Sequence, residues 1–379
     1  MIKVVHCVDT MVGGVASVLL AYAKACHDLS FNFISISPVE DSIRDKVESF
    51  GGRLVADGVE GPALLENAIT AAKASTGAKI FHVHRNWHNL RPAMLARKAG
   101  YDVVISHSHN VFPSSSHLKD VYHALFKALI KRYADASWGC SPEAISFLYG
   151  PKPKNPLFVP NPVSFSSFRF SERIRSEKRR ELGLENSFVL VHAGLPIPQK
   201  NHPFLLRVFA EVLKARPESR LLLLGPDEEK DAWLHDLAVR LGVVDSVAFC
   251  GYVKDVADYY AAGDLFVFPS FNEGLGVALL EAQANGLGFI ASDSVPRCSD
   301  LFGNGCFLPV DGGVGPWVAR IASFESGRRV PSAESVRTCR FNIDNAAPAL
   351  SATYKALLDG ASAGHPSHLE SGGVACSNS

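Results

Sequence analysis

The sequence predicts an α/β protein made of two domains, each built on a doubly wound parallel sheet. Short apolar segments alternate with longer amphipathic segments along the 379 residues, which is the pattern of repeated βαβ units. A proline-rich stretch at 151–162 separates two such series, because proline at this density interrupts helices and strands. With 47% hydrophobic residues the chain can bury more than one core, so we expect order through most of its length.

The order of apolar segments predicts the elements of each domain. The predicted strands of the first domain are Val4–Val8, Phe33–Ser37, Ile80–His84, Val103–His107 and Ala136–Cys140. Those of the second domain are Phe188–Ala193, Arg220–Leu224, Ser246–Phe249, Leu265–Pro269 and Gly288–Ala291. We assign 1–163 to the first domain, 164–340 to the second and 341–358 to a terminal helix that returns to the first. The Gly- and Ser-rich end, 359–379, is predicted to be disordered.

Two basic segments predict helices with two alternative roles. Phe170–Leu184 alternates Arg and Lys with Glu, which favours a solvated helix over a membrane or partner patch. His117–Ala134 has an apolar stripe flanked by lysines, so it either packs on the first sheet, the favoured alternative, or lies on an anionic membrane surface.

Composition excludes several classes of protein. Lys plus Arg and Asp plus Glu are both 38, so the chain lacks the basic excess of a protein held to nucleic acid by charge. Its eight cysteines are scattered without metal-binding spacing, which is typical of a reducing compartment. We find no signal peptide and no long apolar run, and therefore expect a cytoplasmic protein, at most peripheral on the cytoplasmic face of the inner membrane.

The segment Phe268–Ala282 carries the strongest functional signal, with the sequence FPSFNEGLGVALLEA. A predicted strand ends at Pro269, a glycine-containing loop follows, and a helix begins near Gly276. The N–H groups of such a helix start can bind a phosphate, while carboxylates at Glu273 and Glu281 can accept hydrogen bonds from sugar hydroxyls. A chance pair of glutamates on an ordinary strand-loop-helix unit is the alternative.

This segment closely resembles the Glu-x7-Glu signature of the retaining glycosyltransferases of family 4. These enzymes have the GT-B fold, in which two Rossmann-like domains face each other across a cleft. The bacterial exopolysaccharide and capsule branch of this family is the most similar. Further segments match the family in the expected order to about Leu357: Gly13-Gly14, His107–Asn110, Val159–Val163, Gln199–His202, Leu224-Gly225, Phe249–Tyr252 and Phe341–Asp344.

The resemblance implies a donor site in the second domain and an acceptor site in the first. Implied donor-binding residues are Gly14, Gly194, Lys200, Gly225, Tyr252, Val253, Glu273, Gly274, Leu275, Gly276, Val277 and Glu281. Implied catalytic residues are Glu273, Lys200 and His109, and acceptor-side residues are Gly13, Arg85 and Trp87. Lys200 and the N–H groups at Gly276 and Val277 would stabilise the leaving diphosphate.

The chain departs from the family pattern beside this site. The family usually carries an arginine directly after the glycine of the loop, whereas here Leu195 follows Gly194. The loss of such a contact costs about 3 kcal/mol of transition-state stabilisation, unless another cation replaces it. Arg297 and Arg85 are the candidate replacements.

We expect neither a metal nor a cofactor. There is no Asp-x-Asp pair to hold a divalent ion on a diphosphate, and no G-x-G-x-x-G after the first strand, which argues against a dehydrogenase. His82 and His84, with His88, have no acidic residue at ligand spacing, and alternation along a strand accounts for the first two.

The sequence therefore predicts a retaining transferase of hexose or N-acetylhexosamine, with UDP as the expected nucleotide of the donor. The expected acceptor is a glycan or lipid-linked sugar of a surface polysaccharide. Two alternatives stay open: a nucleotide-sugar epimerase on the same fold, and a non-catalytic nucleotide-sugar-binding subunit, which the Leu195 substitution motivates.

Overall fold

The computed structural model describes residues 1–111, 117–325, 327 and 330–362, with the backbone alone for 117–120 and 362. Its contacts divide the chain into two compact units. Unit 1 consists of Met1–Pro162 and the described residues from Arg340 onward, and unit 2 is Val163–Cys339. The chain therefore leaves unit 1 once, forms unit 2, and returns to unit 1 for its terminal helix.

Unit 1 contains, within the described residues, a parallel sheet of seven strands. The strand order is β3-β2-β1-β4-β5-β6-β7, so the direction of winding reverses between β1 and β4. In chain order the strands are Ile2–Val8 (β1), Leu29–Ser35 (β2), Gly52–Ala56 (β3), Ile80–Val83 (β4), Val103–Ser108 (β5), Ala136–Gly139 (β6) and Pro156–Phe158 (β7).

Helices connect these strands, as parallel pairing requires. They are Gly14–Ala25 (α1), Asp41–Ser49 (α2), Pro62–Thr76 (α3), Leu90–Lys98 (α4), His117–Tyr133 (α5) and Pro142–Tyr149 (α6). Local sequence marks several of their ends: Ser141 caps α6 by accepting a hydrogen bond from the Ala144 N–H, and Gly77 ends α3 in the left-handed region.

Helix α5 has two apolar faces with different environments. Phe126 and Ile130 are buried in the core of unit 1, which confirms that one face packs against the domain. Val121, Tyr122 and Leu125 are exposed on the other face. Position 118, which belongs to the apolar stripe predicted for this helix, lies outside the residues whose side chains are described.

Unit 2 contains, among its described residues, a parallel sheet of six strands in the order β10-β9-β8-β11-β12-β13. The strands are Phe188–Ala193 (β8), Ser219–Leu224 (β9), Val247–Phe249 (β10), Leu265–Phe268 (β11), Gly288–Ser292 (β12) and Gly305–Leu308 (β13). The helices are Glu172–Glu181 (α7), His202–Ala215 (α8), Ala232–Arg240 (α9), Val256–Ala262 (α10), Val277–Ala284 (α11), Gly315–Ala322 (α12) and Ala333–Thr338 (α13).

The central strands of unit 2 are buried on both faces. Leu190 and Val267 belong to one apolar cluster, while Val191 and Phe268, which point to the opposite face, belong to another. Continuous apolar segments such as β8 are therefore expected, because helices cover both sides of a parallel sheet.

Helix α7 corrects the prediction of a solvated helix over Phe170–Leu184. Arg175 Nη2 contacts Asp264 Oδ1 at 2.6 Å, and Arg179 Nη1 contacts Asp264 Oδ2 at 3.2 Å. Asp264 is only 7% exposed, and its carboxylate also accepts a hydrogen bond from the Val189 N–H at the start of β8. Two basic residues of this helix thus belong to a buried ion-pair network that connects α7 to β8 and to the start of β11.

Other differences from the predicted elements lie at the sheet edges. Strand β2 spans Leu29–Ser35 instead of Phe33–Ser37, because Leu29 already pairs with Ile2. The edge strands β3 and β13 were not predicted, and β7 lies inside the proline-rich stretch, where Pro156 occupies the first position of an edge strand.

The terminal helix, Ile343–Ser362 (α14), packs against α1 within unit 1. Ser351 Oγ on this helix donates to Asp28 Oδ1 at 2.7 Å. The predicted disordered tail from 359 therefore begins too early, since the helix continues to Ser362; positions 363–379 lie outside the described residues. Among the helices of the described chain, none combines the length and the apolar character that a membrane crossing needs.

Candidate functional site

The candidate site lies at the carboxyl edge of the unit 2 sheet, where the winding reverses. Strands β8 and β11 are neighbours, although the chain forms β9 and β10 on one side before it crosses to the other. At such a reversal the loops that follow the two central strands separate and leave a crevice, which is where doubly wound sheets bind ligands. The loops after β8 and β11 supply Lys200 and Glu273.

Lys200 and Glu273 form an ion pair at this edge. The distance from Lys200 Nζ to Glu273 Oε1 is 2.7 Å, and the two side chains are 17% and 7% exposed. An ammonium group carries three N–H donors, and a carboxylate has two oxygens. Because this hydrogen bond uses one donor and one oxygen, both groups keep capacity for a ligand.

The stem of Lys200 is held between a glycine and an aromatic ring. A Cβ at Gly194 would lie 3.0–3.1 Å from three carbons of the lysine side chain, so a larger residue there would push the lysine stem aside. On the other side the ammonium lies 4.7 Å from the centre of the Phe268 ring. This packing directs the charged end of Lys200 toward Glu273.

Hydrogen bonds to backbone carbonyls join the two loops that carry the pair. The Phe271 N–H donates to the Gln199 carbonyl at 2.9 Å, and Gln199 Nε2 donates to the Asn272 carbonyl at 2.8 Å. Asn201, in the left-handed region at φ +55°, donates through its side chain to the Pro269 carbonyl at 3.2 Å. The relative position of Lys200 and Glu273 is therefore fixed by the loop backbones.

Helix α11 begins four residues after Glu273. Its N-cap, Gly276, has φ +85°, a conformation that favours glycine. Within the described residues no side chain caps this end, and no acidic residue lies in the first turn. The first N–H groups of the helix are thus available to an anion, and the partial positive charge of the helix start favours one.

Glu281 lies one turn further along α11, in an environment that disfavours its charge. Tyr260 Oη on α10 donates to Glu281 Oε2 at 3.2 Å. Burial raises the pKa of the Glu281 carboxyl to about 7, and the hydrogen bond from Tyr260 opposes this shift only in part. A carboxylate kept partly desolvated in this way gains when a ligand brings hydroxyl donors to it.

The remaining predicted donor residues differ in their surroundings. Gly225 contacts the loop after β8 so closely that a Cβ there would lie 2.5 Å from the Gly194 carbonyl oxygen. Gly274 and Leu275 are buried, and Val253 packs against the core of unit 2. Tyr252, by contrast, is 84% exposed.

The predicted acceptor-side residues of unit 1 follow β1 and β4, the two strands between which the winding reverses. Gly13, with φ +89°, precedes α1, and a Cβ added at Gly13 or Gly14 would meet nothing within 4 Å. Arg85 Nε donates to Asp9 Oδ1 at 2.5 Å. Trp87 stacks on His123 with the ring centres 3.4 Å apart. The acceptor roles of these residues stay predictions.

His109, which the resemblance implies is catalytic, is buried, with 5% exposure. Its Nε2 lies 2.8 Å from His84 Nδ1, and burial lowers its pKa to about 3, so the ring is neutral at pH 7. His82 and His107 are buried beside it, whereas His88 is exposed. The catalytic role predicted for His109 therefore stays a prediction, within a cluster of histidines that sequence spacing does not reveal.

The comparisons with known proteins agree with the chemistry of this edge. Residues 187–322 match the family model described as glycosyl transferases group 1, a segment that contains Lys200, Glu273 and Glu281. Putative glycosyltransferase EpsF of Bacillus subtilis is 28% identical over 79% of this chain and 81% of its own length. These matches support a GT-B glycosyltransferase.

Solved structures show the fold over nearly the whole chain. The crystal structure of Anabaena HepE in complex with UDP and glucose matches with a TM-score of 0.76 and 17% identity, covering 94% of this chain and all of that one (100%). WaaG, a glycosyltransferase involved in lipopolysaccharide biosynthesis, matches with a TM-score of 0.60 and 16% identity over 95% of this chain and 99% of its own. The predicted GT-B fold is confirmed.

Some features of this site were missed by sequence reasoning. Tyr260 precedes Glu281 by more than twenty positions on another helix, and Phe268 is indistinguishable from other strand residues until the path of the lysine stem is known. Of the two candidate replacement cations, Arg85 pairs with Asp9, and the Arg297 guanidinium lies 4.2 Å from the centre of the Phe307 ring. Leu195 itself is 57% exposed.

Proposed function

We propose that this chain transfers a hexose or N-acetylhexosamine from a UDP-sugar, with retention of configuration, to a glycan or lipid-linked acceptor in surface polysaccharide synthesis. The transfer needs no metal ion. The observation that carries this proposal is the Lys200–Glu273 pair, 2.7 Å apart at the reversal of the unit 2 sheet and next to the uncapped start of α11.

This arrangement suits a leaving diphosphate. The bond between sugar and nucleotide breaks as negative charge develops on the diphosphate, and a fixed cation together with backbone N–H donors stabilises that charge. Lys200 supplies the cation, and the N–H groups at Gly276 and Val277 supply the donors. Because these groups already lie in a fixed geometry, they do not need to reorganise during the reaction.

The two glutamates accept hydrogen bonds from hydroxyl groups of the sugar donor. Glu281 accepts from the two vicinal hydroxyls of the ribose, which replace the solvation that its buried carboxylate lacks. The second oxygen of Glu273 accepts from the sugar that is transferred. We assign no covalent nucleophile: the acceptor hydroxyl attacks from the face that the diphosphate leaves, and this gives retention.

The similar proteins support the finer parts of this proposal. HepE has been crystallised with UDP, with UDP and glucose, and with UDP-glucose, which favours a UDP-hexose donor. The similarity to WaaG favours a surface glycan as the product. The exposed Val121, Tyr122 and Leu125 of α5, with Lys127 and Lys131 on the same helix, support peripheral contact of this protein with the cytoplasmic face of the membrane.

Calorimetric binding of UDP, GDP, ADP and NAD, each with EDTA and with Mg²⁺, tests the proposal. We expect UDP to bind with the same affinity in both conditions, because Lys200 and the helix start supply the charge that a metal would otherwise supply. NAD is the control and should not bind. Preference for GDP or ADP would contradict the UDP assignment, and binding of none of the nucleotides would contradict the proposed function.

The exposed Leu195 favours one second candidate, a non-catalytic subunit that binds a nucleotide sugar. The substitution Leu195→Arg separates the two. If Lys200 and the helix start suffice, we expect the rate of UDP release from the preferred UDP-sugar to rise by less than about tenfold. A gain of about 100-fold or more would instead indicate that the natural chain lacks a necessary cation. Ile197→Arg, which adds the same charge to the other exposed apolar residue of this loop (43% exposed), is the control.

A further inference from the structure

Five buried histidines form a connected cluster on one face of the unit 1 sheet. His6 lies on β1, His82 on β4 and His107 on β5, while His84 and His109 directly follow the latter two strands. Their side chains are all at most 5% exposed. They lie under α1 and α14, on the face opposite the apolar cluster that contains Val5, Phe81 and Val104.

Two chains of hydrogen bonds run through the cluster. In the first, His6 Nδ1 contacts His84 Nε2 at 3.0 Å, and His84 Nδ1 contacts His109 Nε2 at 2.8 Å. In the second, Tyr354 Oη on α14 contacts His82 Nδ1 at 2.7 Å, and His82 Nε2 contacts His107 Nδ1 at 3.1 Å. Each neutral imidazole has one donor and one acceptor, so each contact uses one of each.

The ends of these chains are buried nitrogen atoms without a partner. Among the described residues nothing hydrogen-bonds His6 Nε2, His107 Nε2 or His109 Nδ1. A buried polar atom left without a partner costs about 1–3 kcal/mol, so three of them in one cluster call for an explanation. Asn161 Oδ1 is also buried without a partner, and Asn161 lies beside the same cluster.

A small cavity lies beside the cluster. Its volume is about 10 Å³, and its lining residues include His84, His107, His109 and Asn161, although only apolar atoms of the lining face it. One ring nitrogen from each of His84, His107 and His109 lies within 4.8 Å of the other two. Nitrogen atoms bound to one tetrahedral ion lie about 3.3 Å apart when each bond is about 2.0 Å, so these rings are close to ligand spacing.

We propose that His84, His107 and His109 bind one divalent transition-metal ion, Zn²⁺ in the first instance, at a site in unit 1 that is separate from the donor chemistry. Neutral imidazole is a preferred ligand of Zn²⁺, whereas Mg²⁺ and Ca²⁺ prefer oxygen ligands, which this cluster lacks apart from Asn161 and Tyr354. Three histidines leave a fourth coordination position, which a water molecule occupies in sites of this kind.

The hydrogen bonds behind the ligands suit this role. If His107 Nδ1–H donates to His82 Nε2, and His82 Nδ1–H donates to Tyr354 Oη, then His107 Nε2 presents its lone pair to the ion. Donation from His84 Nε2–H to His6 Nδ1 makes His84 Nδ1 the atom with the lone pair, so an ion bound there takes the place of the 2.8 Å hydrogen bond from His109 Nε2–H. Outer partners of this kind fix the tautomer and the orientation of ligating histidines. His6 and His82 thus act as positioning residues.

Metal binding by the untagged, EDTA-treated full chain tests this site. We expect saturable binding of Zn²⁺ in calorimetry with one ion per chain. Co²⁺ should give visible absorption of a four-coordinate site without the near-ultraviolet charge-transfer band of cysteine ligands. The variant His107→Gln should weaken Zn²⁺ binding by at least about 100-fold, while His27→Gln, an exposed histidine, should leave it unchanged.

Three results would overturn the proposal: no saturable Zn²⁺ or Co²⁺ binding, a cysteine charge-transfer band, or loss of binding in His6→Gln but not in His107→Gln. Circular dichroism and thermal unfolding establish whether each variant folds. Should His107→Gln not fold, the zinc X-ray absorption spectrum of the natural chain decides, since fewer than three imidazole ligands contradicts the assignment. None of these measurements uses a nucleotide, so failure here leaves the transferase proposal untouched.

Discussion

Replacing Lys200 by methionine is expected to reduce the rate of UDP release from the preferred UDP-sugar by about 10²–10³-fold, the usual effect of removing one preorganised transition-state donor. Methionine keeps the volume of the stem between Gly194 and Phe268 but removes the charge. The reaction can be followed as donor hydrolysis, so the acceptor need not be known. Lys214→Met, an exposed lysine that pairs with Glu211 on α8, is the matched control and should have full activity.

A second variant separates the charge of Lys200 from its structural role. Lys200→Met alone leaves the Glu273 carboxylate, 7% exposed, without its partner, and breaking such a pair destabilises the fold. The double variant Lys200→Met/Glu273→Gln removes both charges, so we expect it to regain stability in urea unfolding while its transfer rate stays low. Recovery of both stability and rate would show that the lysine acts only as a support for the loop.

Replacing Glu281 by glutamine is expected to stabilise the ligand-free protein at pH 8 by about 2 kcal/mol while it weakens UDP binding about tenfold. The raised pKa of about 7 means that the folded state holds the proton more tightly than the unfolded chain, whose carboxyl titrates near 4.5. This contribution to stability is complete below about pH 4.5 and is lost as the pH rises through 7.

Urea unfolding of the natural chain and of Glu281→Gln at pH 5 and pH 8 checks this sign. The difference in the free energy of unfolding should be large at pH 8 and small at pH 5. At pH 5 the Glu281 side chain of the folded natural protein is mostly protonated and resembles the amide of glutamine. Glu211→Gln, at a glutamate whose side chain is 44% exposed, should show no such pH dependence. An equal difference at both pH values would contradict the assigned cause, and unchanged UDP affinity would contradict the ribose role.

Sequence patterns predicted the central strands and the loops at their carboxyl ends, because these are long apolar segments followed by glycine, proline and polar residues. The edge strands β3, β7 and β13 escaped prediction, since they are short and only partly buried. The buried pairs of α7 escaped as well: charge alternation along a helix does not show that Asp264, more than eighty positions away, lies beneath Arg175 and Arg179.

Residues that belong to one continuous motif were predicted, whereas residues that only the register between strands brings together were missed. Glu273, Gly276 and Glu281 follow one another within nine positions, so their spacing alone places them on one loop and helix. The histidine cluster depends on the alignment of three parallel strands, in which His6 lies opposite His82. Spacing within a single strand suggested only alternation, because the register between parallel strands is not encoded in either strand alone.

The contact between Gly194 and Gly225 has a consequence for anyone who maps this protein by random mutagenesis. Neither residue has a functional group, yet an added methyl at Gly194 meets the stem of Lys200 and one at Gly225 meets the Gly194 carbonyl. Two chemically silent positions will therefore rank among the least tolerant in the chain, level with the charged residues they support. A screen that ranks positions by sensitivity alone would count them as participants in the reaction, although they contribute only the space that the neighbouring lysine stem and loop backbone occupy.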